Sequence, residues 1–293
     1  MRLVVLPALK KYNLEHEGFT PFMYCDSLNL VTTGIGNLID NSKRNSFDTS
    51  AFAMGPAMGL PWRFKAQGWT TKNPLAFGNA SPDEIAAAWI TTKLKAQEDP
   101  GFNTRSSGFA YAGLTQLTLD MQGIESLVSS KLASNERQLK LHYPNFDILT
   151  ADAQFALSSM AWAMGSSFWP ALRPLPAEPV SANNLPFFQA FKNAIDAEDY
   201  ATAAIRSEFK GGGSVTDPKS RNHDHRIAFN NAAAVKKVGA NPDLLFFPGA
   251  GPSSAEGIAG LSNPGIAAAK VAGGAVVAGL FGWALYDYWR NKS

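Results

Sequence analysis

The strongest constraint on the fold is an early change of hydrophobic period. Residues Ala8 to Glu17 carry apolar positions at helical spacing. Leu28 to Ile35 then bring β-branched Val31, Thr32, Thr33 and Ile35 beyond a turn residue at Asn29. A 3.6-residue period predicts a helix, and the β-branched run flanked by turn residues predicts a hairpin. Later apolar-periodic stretches, at Met121 to Leu141, Ala151 to Met164, Phe187 to Phe209 and Asp224 to Val238, are helical again. A short hairpin set among helices predicts an α+β fold, with a small β-hairpin lobe and a mainly helical lobe enclosing a cleft.

Between these parts, Asn41 to Ala80 has neither period. It is rich in Gly, Met, Pro and aromatics, among them Phe47, Phe52, Trp62, Phe64, Trp69 and Phe77, and is expected to form an inserted loop or small lobe. Its end is marked by Ser81-Pro82-Asp83-Glu84, where Ser caps, Pro opens and Glu reaches back to a helix start. Residues 1–240 are read as one domain. Asn241 to Pro264, with four prolines among glycines and serines, reads as a linker. Residues 265–289 follow as a hydrophobic helix in which Lys270 is the only charge before Asp287. About twenty residues at ~1.5 Å each span a ~30 Å hydrocarbon layer, so a transmembrane anchor is expected. Trp283, Tyr286, Tyr288 and Trp289, followed by Arg290 and Lys292, suit its interfacial end.

Composition excludes several functions. Charged residues are 17% of the 293, with a net charge of +2, which lacks the dense basic patch of a nucleic-acid binder. The single cysteine, Cys25, rules out an internal disulfide framework or a multi-cysteine zinc site. His223-Asp224-His225 invites a metal reading, but histidines two apart on a helix diverge, so no metal and no cofactor are expected. The short apolar start, broken by Pro7 and followed by Lys10 and Lys11, lacks the length of a secretion signal.

The chemistry-bearing stretch is EGFTPFMYCDSLNLVTTGIGNL. A carboxyl group at a helix end, a second before a hairpin and a hydroxyl on it can converge on one cleft. Glycosidic hydrolysis needs one carboxyl group to protonate the leaving oxygen and another to activate water or stabilise positive charge. The acid must stay protonated near neutral pH, which calls for a partly desolvated setting to which Phe19 and Phe22 are near enough in sequence to contribute.

These residues resemble the phage-type lysozyme (muramidase) family. The shared signature is a Glu-Gly pair, an Asp nine positions after the Glu, a Thr six later and a Gly-Ile-Gly run. The resemblance implies Glu17 as general acid, Asp26 as base or electrostatic partner, and Thr32 as the holder of the attacking water. It further implies substrate contacts at Gly36 and Leu38, although Gly34 and Gly36 also read as backbone permissions. Weaker similarity runs through the long helix from Leu117, the helix Ala156 to Gly165 with Trp162, and RNHDHRIAFNNA. Trp162 is read as cleft floor or core. Arg226 is the candidate basic residue facing the acid, with Arg221 and His223 as alternatives. Ala163 departs from the family, which has Asn or Gln at that point, and the 41–80 segment and the tail have no counterpart in its simple members. The implied substrate is peptidoglycan, cut between N-acetylmuramic acid and N-acetylglucosamine. A membrane-associated protein acting on the wall is expected, released or delivered as a phage lytic protein or an antibacterial effector. Virion or secretion components and an immunity protein are its expected partners. A lytic transglycosylase and a non-catalytic wall-binding or virion protein are the rival readings.

Overall fold

The computed structural model describes residues 1–71, 73–99, 102, 109–165, 168, 185–209 and 211–252. Among these the chain is mixed α+β, with eight α-helices and two small antiparallel sheets. It divides into two compact units. One is Tyr12–Lys131; the other joins Met1–Lys11 to the described residues from Leu132 onward. The hydrophobic stretch at 265–289, the expected anchor, lies outside the described residues. No described helix is long and apolar enough to cross a membrane.

The first helix, α1 (Val5–Glu17), buries Val5, Leu9 and Tyr12 at helical spacing. It stops at Gly18, whose φ of 74° is a left-handed conformation that costs glycine little. Strands β1 (Thr20–Cys25), β2 (Val31–Gly34) and β3 (Asn37–Leu38) follow in the order β1-β2-β3. The β1–β2 turn is held by Asp26, whose Oδ1 accepts the amides of Leu28 (2.8 Å) and Leu30 (3.0 Å). Asn29 takes the positive φ (59°) that Asn tolerates better than most residues.

The inserted segment is a small lobe with a helix and part of a sheet. Helix α2 (Ala51–Met58) starts on a Ser50 cap and contains Pro56. A proline leaves the carbonyl four residues back without its helical donor, and that carbonyl, of Phe52, instead accepts Asn41 Nδ2 at 3.2 Å. Strands β4 (Arg63–Lys65) and β5 (Ala76–Phe77) form a hairpin. Contrary to an insertion confined to 41–80, its sheet is completed by β6 (Leu117–Thr118), giving the order β5-β4-β6. Leu119 N then donates to Pro21 O at 2.7 Å, tying this sheet to β1. Helix α3 (Pro82–Glu98) begins with the anticipated reciprocal cap, Ser81 N to Glu84 Oε2 at 2.7 Å and Glu84 N to Ser81 Oγ at 3.3 Å. Its inner face carries a charge. Lys93 Nζ meets Asp40 Oδ2 at 2.6 Å with both side chains fully buried, and it also donates to Asn29 O, Ser42 Oγ and Ser46 O.

The other unit is helical. Helix α4 (Met121–His142) contributes residues to both units. Helix α5 (Ala151–Met164) is buried from Ala151 through Trp162, and it packs against α8 (Arg221–Val238). The expected single helical run at 187–209 is two helices, α6 (Leu185–Asp196) and α7 (Tyr200–Arg206), the second capped by Asp199. The described part of the expected linker, 241–252, is fastened down. Asp152 accepts the amides of Phe246 (3.1 Å) and Phe247 (2.8 Å), Phe247 stacks on Phe155, and Asn231 Nδ2 donates to Gly249 O.

Candidate active site

The register of the first sheet decides which side chains share a face. Tyr24 pairs with Thr32, and Thr32 pairs with Leu38. Directly opposed residues in antiparallel strands project to the same side, as do residues two apart along one strand. The row Tyr24–Thr32–Leu38 therefore lies on one face. Asp26 N donates to Leu30 O (3.0 Å), which continues the ladder past β1 and puts Asp26 on the face of Tyr24. The opposite face carries Cys25 and Val31, both buried in the core.

Glu17 approaches from the end of α1. A Cβ built on Gly36 would stand 3.2 Å from Glu17 Oε2, so the β2–β3 turn and this carboxyl group are in close contact. Gly36 has φ of 74°, and its carbonyl accepts Lys131 Nζ at 3.3 Å. At the same turn, Asn37 Oδ1 accepts the Ile35 amide at 3.3 Å and would meet a Gly34 Cβ at 2.9 Å. Both glycines are thus favoured by conformation, and a Cβ at either would displace a neighbouring side chain.

Two properties differ from the sequence expectation. The Glu17 side chain is exposed, whereas Phe19 and Phe22 are core residues, and Phe22 faces Trp69 edge-on at 6.1 Å. They do not supply a dry pocket for the acid. Thr32 is buried (4% exposed), and its hydroxyl donates to Leu30 O at 3.2 Å. The strand that was to present a water-binding hydroxyl turns it onto the backbone.

Electrostatics join the two acids through a residue that the sequence reading passed over. The Tyr24 phenol is pushed above its ordinary pKa, first by burial and then by the negative charges of Glu17 and Asp26. Strand alternation between Tyr24 and Asp26 was the signal that could have identified it. Lys131 had no such signal, being far from Gly36 in the chain.

The remaining candidates belong to the helical unit. Leu38, by contrast, lies in the sheet and is 53% exposed. Trp162 is buried at 3% in α5, in keeping with a core role. Arg226 makes a 3.5 Å ion pair with Glu208 on the surface of α8. Arg221 is buried and donates to Ser159 Oγ at 3.2 Å. The two histidines of the HDH stretch separate as expected, with His225 buried against Ser159 Oγ (2.8 Å) and His223 part-exposed beside Asp224. Among the described residues no group of three or more His, Cys, Asp or Glu side chains is arranged to hold a metal ion.

No family model, no curated protein and no solved structure matches the chain. The likeness to phage-type lysozymes therefore rests on the motif between Glu17 and Leu38.

Proposed function

We propose that this chain is a muramidase that cuts peptidoglycan between N-acetylmuramic acid and N-acetylglucosamine. Glu17 protonates the departing oxygen, and Asp26 stabilises the positive charge or activates water. The observation that carries the reading is a single one: Asp26 lies on the same sheet face as Thr32 and Leu38, and the turn closing that sheet abuts the Glu17 carboxyl group.

The site imposes conditions on this chemistry. Glu17 is exposed, so in this reading it is bound glycan that must displace water from the acid. Asp26 commits Oδ1 to two turn amides, which fixes the direction of its carboxyl group. The two carboxyl groups thereby divide into an exposed acid to be covered by substrate and a partner held in place by the turn. Gly36, lacking a side chain, leaves room for the Glu17 carboxyl group against the turn, and exposed Leu38 offers apolar surface to the sugar ring. The 265–289 stretch is proposed as the membrane anchor.

The buried Thr32 hydroxyl favours a second reading, a lytic transglycosylase, in which the sugar's own hydroxyl replaces water as nucleophile. Digestion of purified peptidoglycan tests both. Release of reducing ends by wild type and its loss in Glu17→Gln support hydrolysis. Anhydro-sugar products assign the transglycosylase. Full activity of Glu17→Gln rejects both.

A further inference from the structure

We infer that Lys131 is a positioning residue of this site, its ammonium group holding in place the β2–β3 turn against which the Glu17 carboxyl group rests. The inference rests on the glycosidase reading above and adds a residue from outside the stretch between Glu17 and Leu38.

Three contacts lead to it. Lys131 Nζ donates to Gly36 O at 3.3 Å. Leu127, four residues earlier on α4, lies beside the same turn, since a Cβ built on Gly34 would stand 3.4 Å from Leu127 Cδ2. Helix residues four apart share a face, so one face of α4 meets the turn with an apolar side chain and a charged one. The turn in its turn touches the acid: a Cβ on Gly36 would lie 3.2 Å from Glu17 Oε2 and 3.6 Å from its Cδ. Glu17, Gly34, Gly36, Leu127 and Lys131 all belong to the unit Tyr12–Lys131, so the contacts run through a single compact body.

Each contact restrains something different. Asn37 Oδ1 accepts the Ile35 amide at 3.3 Å, which fixes the shape of the turn from within. The Leu127 contact is apolar and therefore non-directional. A hydrogen bond from an ammonium group is stronger than a neutral one and has a direction, so it is Lys131 that sets where the Gly36 carbonyl stands. The turn then limits the exposed Glu17 side chain to rotamers that do not pass through Gly36. Where the turn stands decides where the acid delivers its proton.

Lys131→Met tests this, since it removes the ammonium group and keeps an unbranched stem on the helix. The full chain is assayed for release of reducing ends from purified peptidoglycan, beside wild type, Lys131→Arg, Gly36→Ala and Glu17→Gln, at a temperature where all are folded. A proton donor misplaced by a fraction of an ångström predicts a kcat loss of about tenfold in Lys131→Met. KM changes little, because the aim of the acid matters only at the reacting bond. Lys131→Arg keeps a charged donor and recovers most of the loss. In the Gly36→Ala background Lys131→Met costs less than it does alone, because both changes act on one turn. The carbonyl carbon resonance of Gly36 moves in Lys131→Met and reports the lost hydrogen bond without relying on turnover. Should Lys131→Met not fold, Lys131→Gln carries the same expectations. Wild-type kcat in the variant, equal losses in the Met and Arg variants, an undiminished loss on top of Gly36→Ala, or an unmoved Gly36 resonance overturns the inference and leaves the muramidase reading intact. Wild type without glycan cleavage, or a fully active Glu17→Gln, overturns the muramidase reading, and the positioning role of Lys131 falls with it.

Discussion

The contact between Gly36 and Glu17 separates a fold requirement from a catalytic one, and Gly36→Ala measures both. Gly36 sits at φ 74°, where an L-residue pays roughly 1–2 kcal/mol relative to its right-handed counterpart. The new methyl carbon would lie 3.2 Å from Glu17 Oε2 and 3.6 Å from its Cδ. The first distance is tighter than ordinary van der Waals contact, so the carboxyl group must yield by a few tenths of an ångström. Because the Glu17 side chain is exposed, it can do so with little further loss of stability. Its direction toward the sugar is what changes. A misplacement of about 1 Å costs on the order of 100-fold in rate, so a fraction of that shift predicts a kcat loss of about tenfold. Gly68→Ala supplies the control in the same unit, at φ 79° with its nearest neighbour, Leu75 Cδ1, at an ordinary 3.9 Å. Urea unfolding should show both variants losing roughly 1–2 kcal/mol, since both glycines share the left-handed conformation. Reducing-end release at a temperature where both are folded should show the kcat loss in Gly36→Ala alone. Equal kcat values in the two variants would refute the idea that this turn positions the acid.

Other perturbations probe the rest of the scaffold. Lys93→Met leaves the fully buried Asp40 without its cation and should cost about 3–5 kcal/mol in urea unfolding, whereas Lys93→Met with Asp40→Leu should recover much of that loss. The Asp40 carboxyl group is raised by burial, but hydrogen bonds from Lys93, Ser42 and Val31 outweigh this and leave it below the ordinary value. Its contribution is therefore present above the unfolded carboxylate pKa and lost as pH falls through the lower folded one. Lys93→Met should flatten that acid limb of a stability–pH curve. Asp152 is the reverse case: burial raises it despite the amides of Phe246 and Phe247, so its share of stability grows as pH falls through its folded pKa. Asp152→Ala removes the acceptor for those amides, and hydrogen exchange at Phe246 and Phe247 should accelerate to near unprotected rates while that of the Leu30 amide is unchanged. Ser81→Ala removes a reciprocal cap and should cost about 1 kcal/mol in thermal unfolding, without effect on turnover.

Features governed by neighbours in the chain were legible in the sequence. The Ser81 cap, the α1 stop at Gly18 and the hairpin at Leu28 to Ile35 each follow from side chains within a few residues of one another. Features that depend on chain closure were not. Nothing near Arg63 announces its pairing with Thr118, and so the 41–80 segment read as self-contained when its sheet borrows a strand. Lys93 has the look of a solvated helix charge until α3 meets Asp40. Residues 187–209 read as one period because both helices bury apolar residues at similar spacing. The break is an Asp199 cap, which acts only once Thr202 turns to meet it.

The site shows the same division at finer scale. The motif's spacing placed Glu17, Asp26 and Thr32 around one hairpin, and the register puts the last two on one face. What spacing cannot encode is solvent, because exposure depends on everything packed around a residue. The motif therefore carried no information that Phe19 and Phe22 turn into the core, that Glu17 stays wet, or that the Thr32 hydroxyl turns to Leu30. For a glycosidase this matters more than which residues are present, since an acid in water is merely a carboxylate. With Glu17 exposed among the described residues, the proposed catalyst is complete only once the glycan covers it. Long glycans that cover Glu17 should then turn over faster than short oligosaccharides that bind yet leave it exposed.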